Sequence, residues 1–236
     1  VAPEEEADEL LAAAGSPDDL EGLVRRREQG EPLAWVTGRT VFAGRPVVVH
    51  PGVYVPRGQS EELARRAAAR LLEIGGPAVD LCTGSGAVAV HLAAELPGPT
   101  VVGIDRDARA VACARANGVA VLQADLRSPL CSGAFGLVTA VAPYVPTDQL
   151  AWLPRDVLRH EPRRALDGGP DGLAVLRPLV AEAARLLRPG GWLLVEVGGG
   201  QDRALEPVLA HAGFGPPDPW TDEDGDLRGL SSRRRG

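Results

Sequence analysis

Apolar and polar positions change rhythm at residue 78. From there to residue 197 short apolar runs alternate with longer amphipathic stretches, each run stopping near a glycine, proline or aspartate. The runs predict strands at 78–82, 100–104, 119–123, 136–141 and 192–197, with helices at 87–95, 108–117 and 173–187 between them. Strand–helix alternation of this kind is the mark of an α/β domain. Arg188-Pro189-Gly190-Gly191 is a firm stop for the third helix, and a further helix at 202–211 precedes a tail rich in proline and aspartate.

Upstream the pattern is different. Residues 4–14 read as a short helix, and a second begins at Ser16 with Pro17 in the first helical position. Asp18 and Asp19 in its first turn and Arg25, Arg26 and Arg27 in its last suit the helix dipole. The arginine run has two readings, an anion patch or a solvated helix end, and the second is preferred. Two β-prone runs over 40–49, broken by Ala43-Gly44, predict a hairpin. Pro51-Gly52 and Pro56 break the chain. Ser60 is expected to cap a helix over 61–73, closed by Gly75-Gly76. There is no internal repeat.

Composition narrows the class. A chain of 236 residues, 44% hydrophobic, can bury one substantial core with a small appendage. A formal net charge of -7 argues against wrapping nucleic acid by bulk charge, so no direct nucleic-acid binding is expected. No apolar run approaches the ~20 residues of a membrane span, and, with no basic-then-apolar stretch before the first helix, export is not expected. Cys82, Cys113 and Cys131 form neither a zinc pattern nor a disulfide framework and fit a reducing cytoplasm. The four histidines, His50, His91, His160 and His211, have no metal spacing, so no metal is expected. Lysine is absent and Asn117 is the single asparagine, a bias of coding sequence rather than of function. Methionine is absent even at position 1, so the chain is expected to lack its natural start.

The first candidate chemistry is the stretch Val79-Asp80-Leu81-Cys82-Thr83-Gly84-Ser85-Gly86, a strand entering a glycine-rich turn and then a helix. A Cβ there would block backbone approach to a ligand. With Ala89 the turn also fits a loose dinucleotide pattern, which leaves a nicotinamide oxidoreductase as an alternative. Asp105 closes the next strand, where a carboxylate can accept hydrogen bonds from both hydroxyls of a ribose. Asp125 follows the third strand and is a candidate for an adenine amino group. A lone aspartate at a strand end is more often a helix cap; the spacing of these three features points to a nucleoside site. Ser85 has no histidine–aspartate context and is not a nucleophile.

Beyond that loop the sequence resembles the HemK/PrmC family of protein-glutamine N5-methyltransferases. Gly30-Glu31-Pro32-Leu33-Ala34-Trp35-Val36-Thr37-Gly38 and Gly52-Val53-Tyr54-Val55-Pro56-Arg57 are similar to the segments that lead into that family's catalytic domain. His160-Glu161-Pro162-Arg163-Arg164-Ala165-Leu166-Asp167-Gly168-Gly169-Pro170-Asp171-Gly172-Leu173 is the most specific match, continued by Leu193-Leu194-Val195-Glu196-Val197-Gly198 and Gln201. The resemblance implies an α/β class I fold dependent on S-adenosylmethionine (SAM): a Rossmann-like, seven-stranded, mostly parallel sheet ending in a hairpin that inserts an antiparallel strand. It implies a short helical N-terminal segment with a β-hairpin over residues 1–56 and a methyltransferase domain over 57–236. Carried over residue by residue, SAM contacts fall on Cys82, Thr83, Gly84, Ser85, Gly86, Asp105 and Leu126, with Asp80, Asp125 and Val141 beside them. S-adenosylhomocysteine is the implied product. The Asp222-Glu223-Asp224-Gly225-Asp226 run lacks the twelfth-position glutamate of a calcium loop and matches the family's turn before its last strand.

The acceptor motif of that family, Asn-Pro-Pro-Tyr, falls on Val141, Ala142, Pro143 and Tyr144. Valine offers neither donor nor acceptor, so half of the clamp that holds a glutamine amide is missing. Gly136 stands where an aspartate is common, and only about thirty residues precede Gly30. Three readings follow: methylation of another acceptor such as a carboxylate, hydroxyl, amine or small metabolite, a weak or inactive SAM-binding scaffold, or retained glutamine methylation of a release-factor-like or other protein with the contact supplied from elsewhere. Methylation of a nucleic-acid base is disfavoured by the acidic balance. Glu196, ending a strand at the ligand edge, is expected to support the site through hydrogen bonds.

Overall fold

Five apolar runs become parallel strands because helices cover both faces of the sheet they build, and such strands carry no alternation to signal an exposed side. In the computed structural model, which describes residues 3–95, 98 and 100–236, these are β3 (Ala78–Leu81), β4 (Val101–Asp105), β5 (Ala120–Gln123), β6 (Phe135–Ala140) and β7 (Leu187–Glu196). Every residue of β3 and β6 is buried. Two further strands, β8 (Asp218–Thr221) and β9 (Leu227–Arg233), complete a seven-stranded sheet of order β5-β4-β3-β6-β7-β9-β8, with β9 antiparallel to both neighbours. The α/β class I architecture expected from the resemblance is the one observed.

The chain moves outward through β3, β4 and β5, then returns to β6 on the other side of β3. That reversal opens a crevice at the carboxyl ends of β3, β4 and β6, where doubly wound sheets bind ligands. One face of the sheet is covered by α4 (Ser60–Ile74) and α5 (Ala87–Glu95), the other by α8 (Leu176–Leu186) and α9 (Gln201–His211). Beyond β4, α6 (Ala108–Ala116) is capped by Asp107, whose side chain accepts the Arg109 N–H.

The amino-terminal helices α1 (Pro3–Ala13) and α2 (Pro17–Glu28) bury a single residue, Leu10. Ser16 caps α2 as expected, accepting from the Asp19 N–H at 3.2 Å. The arginine run is spent on ion pairs, Arg25 with Glu21, Arg26 with Glu31 and Arg27 with Glu6. A short turn of helix, α3 (Leu33–Val36), leads to a hairpin of β1 (Arg39–Phe42) and β2 (Arg45–Val48). Phe42, Val47 and Val49 from the hairpin region share a core with α4 and α5.

Two local expectations are corrected. Ser60 does not cap α4; it is the first helical residue, Gln59 occupies the cap position without a side-chain bond to the helix, and the Ser60 hydroxyl donates instead to Glu196. Arg188-Pro189-Gly190-Gly191 ends a helix but lies within β7, where pairing jumps from Phe135↔Leu187 to Leu137↔Trp192. The tail holds β8 and β9, whose mixed polar and apolar residues give no period-2 pattern; Ser231 and Ser232 are themselves buried. The short α7 (Arg155–His160) was likewise not legible from periodicity. Gly136 has a packing reason: a Cβ there would sit 2.4 Å from the Gly75 carbonyl oxygen.

Candidate active site

β3 delivers the chain into the glycine turn with Asp80 as its penultimate residue, and Asp80 is buried. Its two oxygens accept from the Thr83 hydroxyl at 2.6 Å and the Thr139 hydroxyl at 2.8 Å, tying the turn to β3 and β6. Burial pushes this carboxyl up to about 6 in spite of those bonds. The turn is left-handed at Cys82 (φ 57°), Gly84 (57°) and Gly86 (84°), a concentration of unusual backbone that packing must hold in place. A Cβ at Gly84 would meet nothing within 4 Å, whereas at Gly86 it would lie 2.8 Å from a Val119 methyl. Gly84 therefore borders open space and Gly86 lets the following helix close on α6. Asn117 secures the turn from behind: its amide donates to the Ser85 carbonyl at 2.9 Å and pairs with both backbone groups of Val48.

Asp105, at the end of β4, faces the same turn. One oxygen accepts the Gly84 N–H at 2.9 Å and the other the Asp107 N–H at 2.9 Å. Burial raises its pKa, opposed by those backbone bonds. Each oxygen keeps a lone pair, so the carboxylate can still receive a pair of hydroxyls. Asp125 stands exposed at the rim, next to the left-handed Leu126. Burial, with Asp105 nearby, pushes the Cys82 thiol far up, which keeps it inert.

These residues line one cavity of about 1050 Å³ that continues to Val141, Ala142, Pro143 and Tyr144. Of the expected cofactor residues only Gly86 lies behind the wall rather than on it. Val141 is partly buried against the α4/α5 core, and Ala142 is buried in the opposite core. Tyr144 is held at both ends. Its hydroxyl donates to Glu196 Oε1 at 2.7 Å and accepts from the Gln59 amide at 2.8 Å, while its carbonyl accepts from the Gln201 amide at 2.8 Å. Glu196, 1% exposed, also accepts from Gln59 at 2.7 Å and from Ser60. Burial and the Glu196 carboxylate push the Tyr144 phenol well above its ordinary range, so it stays a donor.

A second aromatic residue, Tyr54, lies beneath the Arg57 guanidinium, 5.1 Å from the ring centroid, and Arg57 pairs with the buried Glu161. Gln59, Tyr54, Arg57 and Arg228 reach the cavity without having been singled out as site residues, because they come from a loop and from the start of β9, which carry no periodic signal. Trp152, 81% exposed, stands at its mouth. The Asp222 turn is not part of the site: the Asp222 carboxylate accepts from the Asp224 and Asp226 N–H groups and pairs with Arg228. Among the described residues no helix is long and apolar enough to cross a membrane.

A left-handed glycine turn, a strand-end carboxylate facing it and an aromatic-lined extension of the same cavity suit a nucleoside with a reactive tail. No family model matches the chain. The release factor glutamine methyltransferase of Geobacter sulfurreducens is 40% identical over 214 residues, covering 84% of this chain and 73% of that protein. The 4-amino-L-phenylalanine/4-methylamino-L-phenylalanine methyltransferase of Streptomyces pristinaespiralis is 40% identical over 201 residues, covering 80% and 68%. Among solved structures, the E. cuniculi Mtq2–Trm112 complex, described as methylating a translation termination factor, shares the fold: TM-score 0.55 at 19% identity, covering 78% of this chain and 99% of that one. With relatives at these identities over most of its length, the chain is a SAM-dependent methyltransferase and belongs to the release factor glutamine methyltransferase (HemK/PrmC) family.

Proposed function

We propose that this enzyme methylates a neutral amine nitrogen, carried by a small molecule, rather than a glutamine carboxamide. The observation that carries the reading is Val141. A carboxamide nitrogen has its lone pair delocalised into the carbonyl, so it needs donors and acceptors on both sides to be aimed and activated. At this position the wall is hydrocarbon, and the Tyr144 hydroxyl is already committed to Glu196 and Gln59. An amine with an available lone pair needs only orientation, which the Ala142–Tyr144 backbone and the fixed Tyr144 ring can supply. The relative from Streptomyces pristinaespiralis, named for an aromatic amine, is as similar to this chain as the relative from Geobacter sulfurreducens, so overall identity does not favour the amide.

SAM supplies an electrophilic methyl group on a sulfonium. On this reading Gly84 and Ser85 receive the cofactor along the turn, Asp105 accepts from the ribose, and Asp125 and Leu126 border the adenine. Cys82, Thr83 and Gly86 shape the turn, and Asp80 anchors it. As the acceptor nitrogen gains positive charge, the Tyr144 ring, hydrogen-bonded to the Glu196 carboxylate, offers an electron-rich wall. The three cysteines are free, which fits a cytoplasmic location.

The curated relatives named for release factors support a second reading, transfer to a protein glutamine with a compensating contact. A third is a SAM-binding scaffold. Transfer of labelled methyl from SAM to a panel of aromatic amines and to a release factor tests all three. Turnover of an amine is expected; turnover of the release factor alone would overturn the proposal, and SAM binding without any transfer would leave the scaffold.

A further inference from the structure

Glu161-Pro162-Arg163-Arg164 is the most distinctive stretch of the sequence, yet it supplies neither the cofactor turn nor the acceptor motif. It belongs to residues 146–166, a wall that departs after Val145 and returns at Asp167, two residues joined by an isolated parallel bridge. Leu150, Val157 and Leu166 form a small core of their own inside it, packed against Tyr54. Two side chains three residues apart tie this wall to opposite sides of the cavity. Glu161, its side chain 1% exposed, pairs with Arg57 and accepts the Val55 N–H at 3.3 Å, on the acceptor side. Arg164 pairs with Asp107, on the cofactor side, with side-chain exposures of 41% and 17%.

Asp107 is not an isolated surface acid. Its N–H donates to Asp105 Oδ1 at 2.9 Å, and its side chain caps α6. Arg164 thus holds the residue directly behind the ribose carboxylate. Its neighbour Arg163 points elsewhere, to Asp167 at 3.1 Å. We propose that Arg164 is a cofactor-positioning residue: its ion pair with Asp107 steadies Asp105 and latches the 146–166 wall over the adenosyl end of the cavity. The inner pair, Arg57–Glu161, is anchored by a carboxylate 1% exposed and serves as the fixed edge; the outer pair, more open to solvent at both partners, is the one that yields when SAM enters or leaves. This rests on the cofactor alone and is independent of which acceptor is methylated.

A half-exposed ion pair is modest in strength and screened by salt, and both properties become readouts. Stopped-flow release of SAM from the full chain, followed at low and high ionic strength, tests the latch. Arg164→Gln should speed SAM release about two- to fivefold and remove most of its salt dependence. Asp107→Asn, which keeps an oxygen to cap α6, should do the same, and the double variant should be no faster than either alone. Arg164→Lys should restore part of the slow release, and Arg163→Gln should leave it unchanged. Release from Arg164→Gln at the wild-type rate, additive effects in the double variant, or an equal effect from Arg163→Gln would each overturn the proposal.

Discussion

On the proposed reading, one side chain at Val141 separates two chemistries. Preorganised polar groups aimed at a reacting centre are commonly worth ~10²–10³ in rate. Val141→Asn should therefore raise labelled-methyl transfer to a glutamine-bearing release factor by about 10-fold or more from whatever basal level exists, and depress transfer to an amine. An unchanged acceptor preference would remove valine from the explanation. Asp80 acts through pH instead. Its carboxyl titrates near 6 in the folded chain against 3.8 for the free side chain, so between those values the native state holds a proton that the unfolded state has lost. The contribution of Asp80 to stability thus rises as pH falls from about 6 towards 4 and is least favourable above 6. Asp80→Asn should flatten that part of a curve of urea midpoint against pH; a curve identical to wild type would contradict the assignment.

Among the elements, the glycine turn divides into a ligand face and a packing face. Gly84→Ala adds a methyl to open space and costs chiefly the left-handed backbone, about 1–2 kcal/mol. Gly86→Ala bears the same backbone cost and drives a methyl against Val119 and Ala114, adding roughly 1–3 kcal/mol of overpacking. Denaturant unfolding should rank Gly86→Ala well below Gly84→Ala, and equal midpoints would show that the turn shifts to make room. Asn117 joins the hairpin to the turn, and loss of its bonds in Asn117→Ala should cost about 1–3 kcal/mol and weaken SAM binding. The turn itself was legible because glycine is the residue that left-handed backbone demands. Asn117 was visible only as a compositional oddity, since its partners lie 69 and 32 residues away.

For the molecule as a whole, core packing runs across residue 56, joining the hairpin to the helices that follow. Trp35 donates to the Val53 carbonyl at 2.9 Å, and Phe42, Val47 and Val49 pack with α4 and α5. Among the described residues α1 and α2 stand apart, joined to each other by Arg27–Glu6 and tethered to α3 by Arg26, which donates to the Trp35 carbonyl at 3.0 Å. We propose that the unit carrying the site begins near residue 33. Removal of the residues before it should leave SAM affinity, measured by calorimetry, within about a factor of three, since a mostly exposed helix pair adds little to a distant site. A larger loss would show that the helices support the cavity after all.

By itself the sequence determined the α/β class and the left-handed glycine turn, because these depend on local rules, periodic burial and glycine where φ is positive; the family was legible from its resemblance in stretches such as Glu161-Pro162-Arg163. It also exposed the valine in the acceptor motif. Only the tertiary structure decided what surrounds that valine. The Gln59–Tyr144–Glu196–Ser60 network joins residues up to 137 positions apart, and the Arg164–Asp107 pair joins residues 57 apart. Such partners are brought together by the reversal of the sheet at β3 and β6, and no spacing along the chain encodes a meeting that depends on how strands are ordered in space.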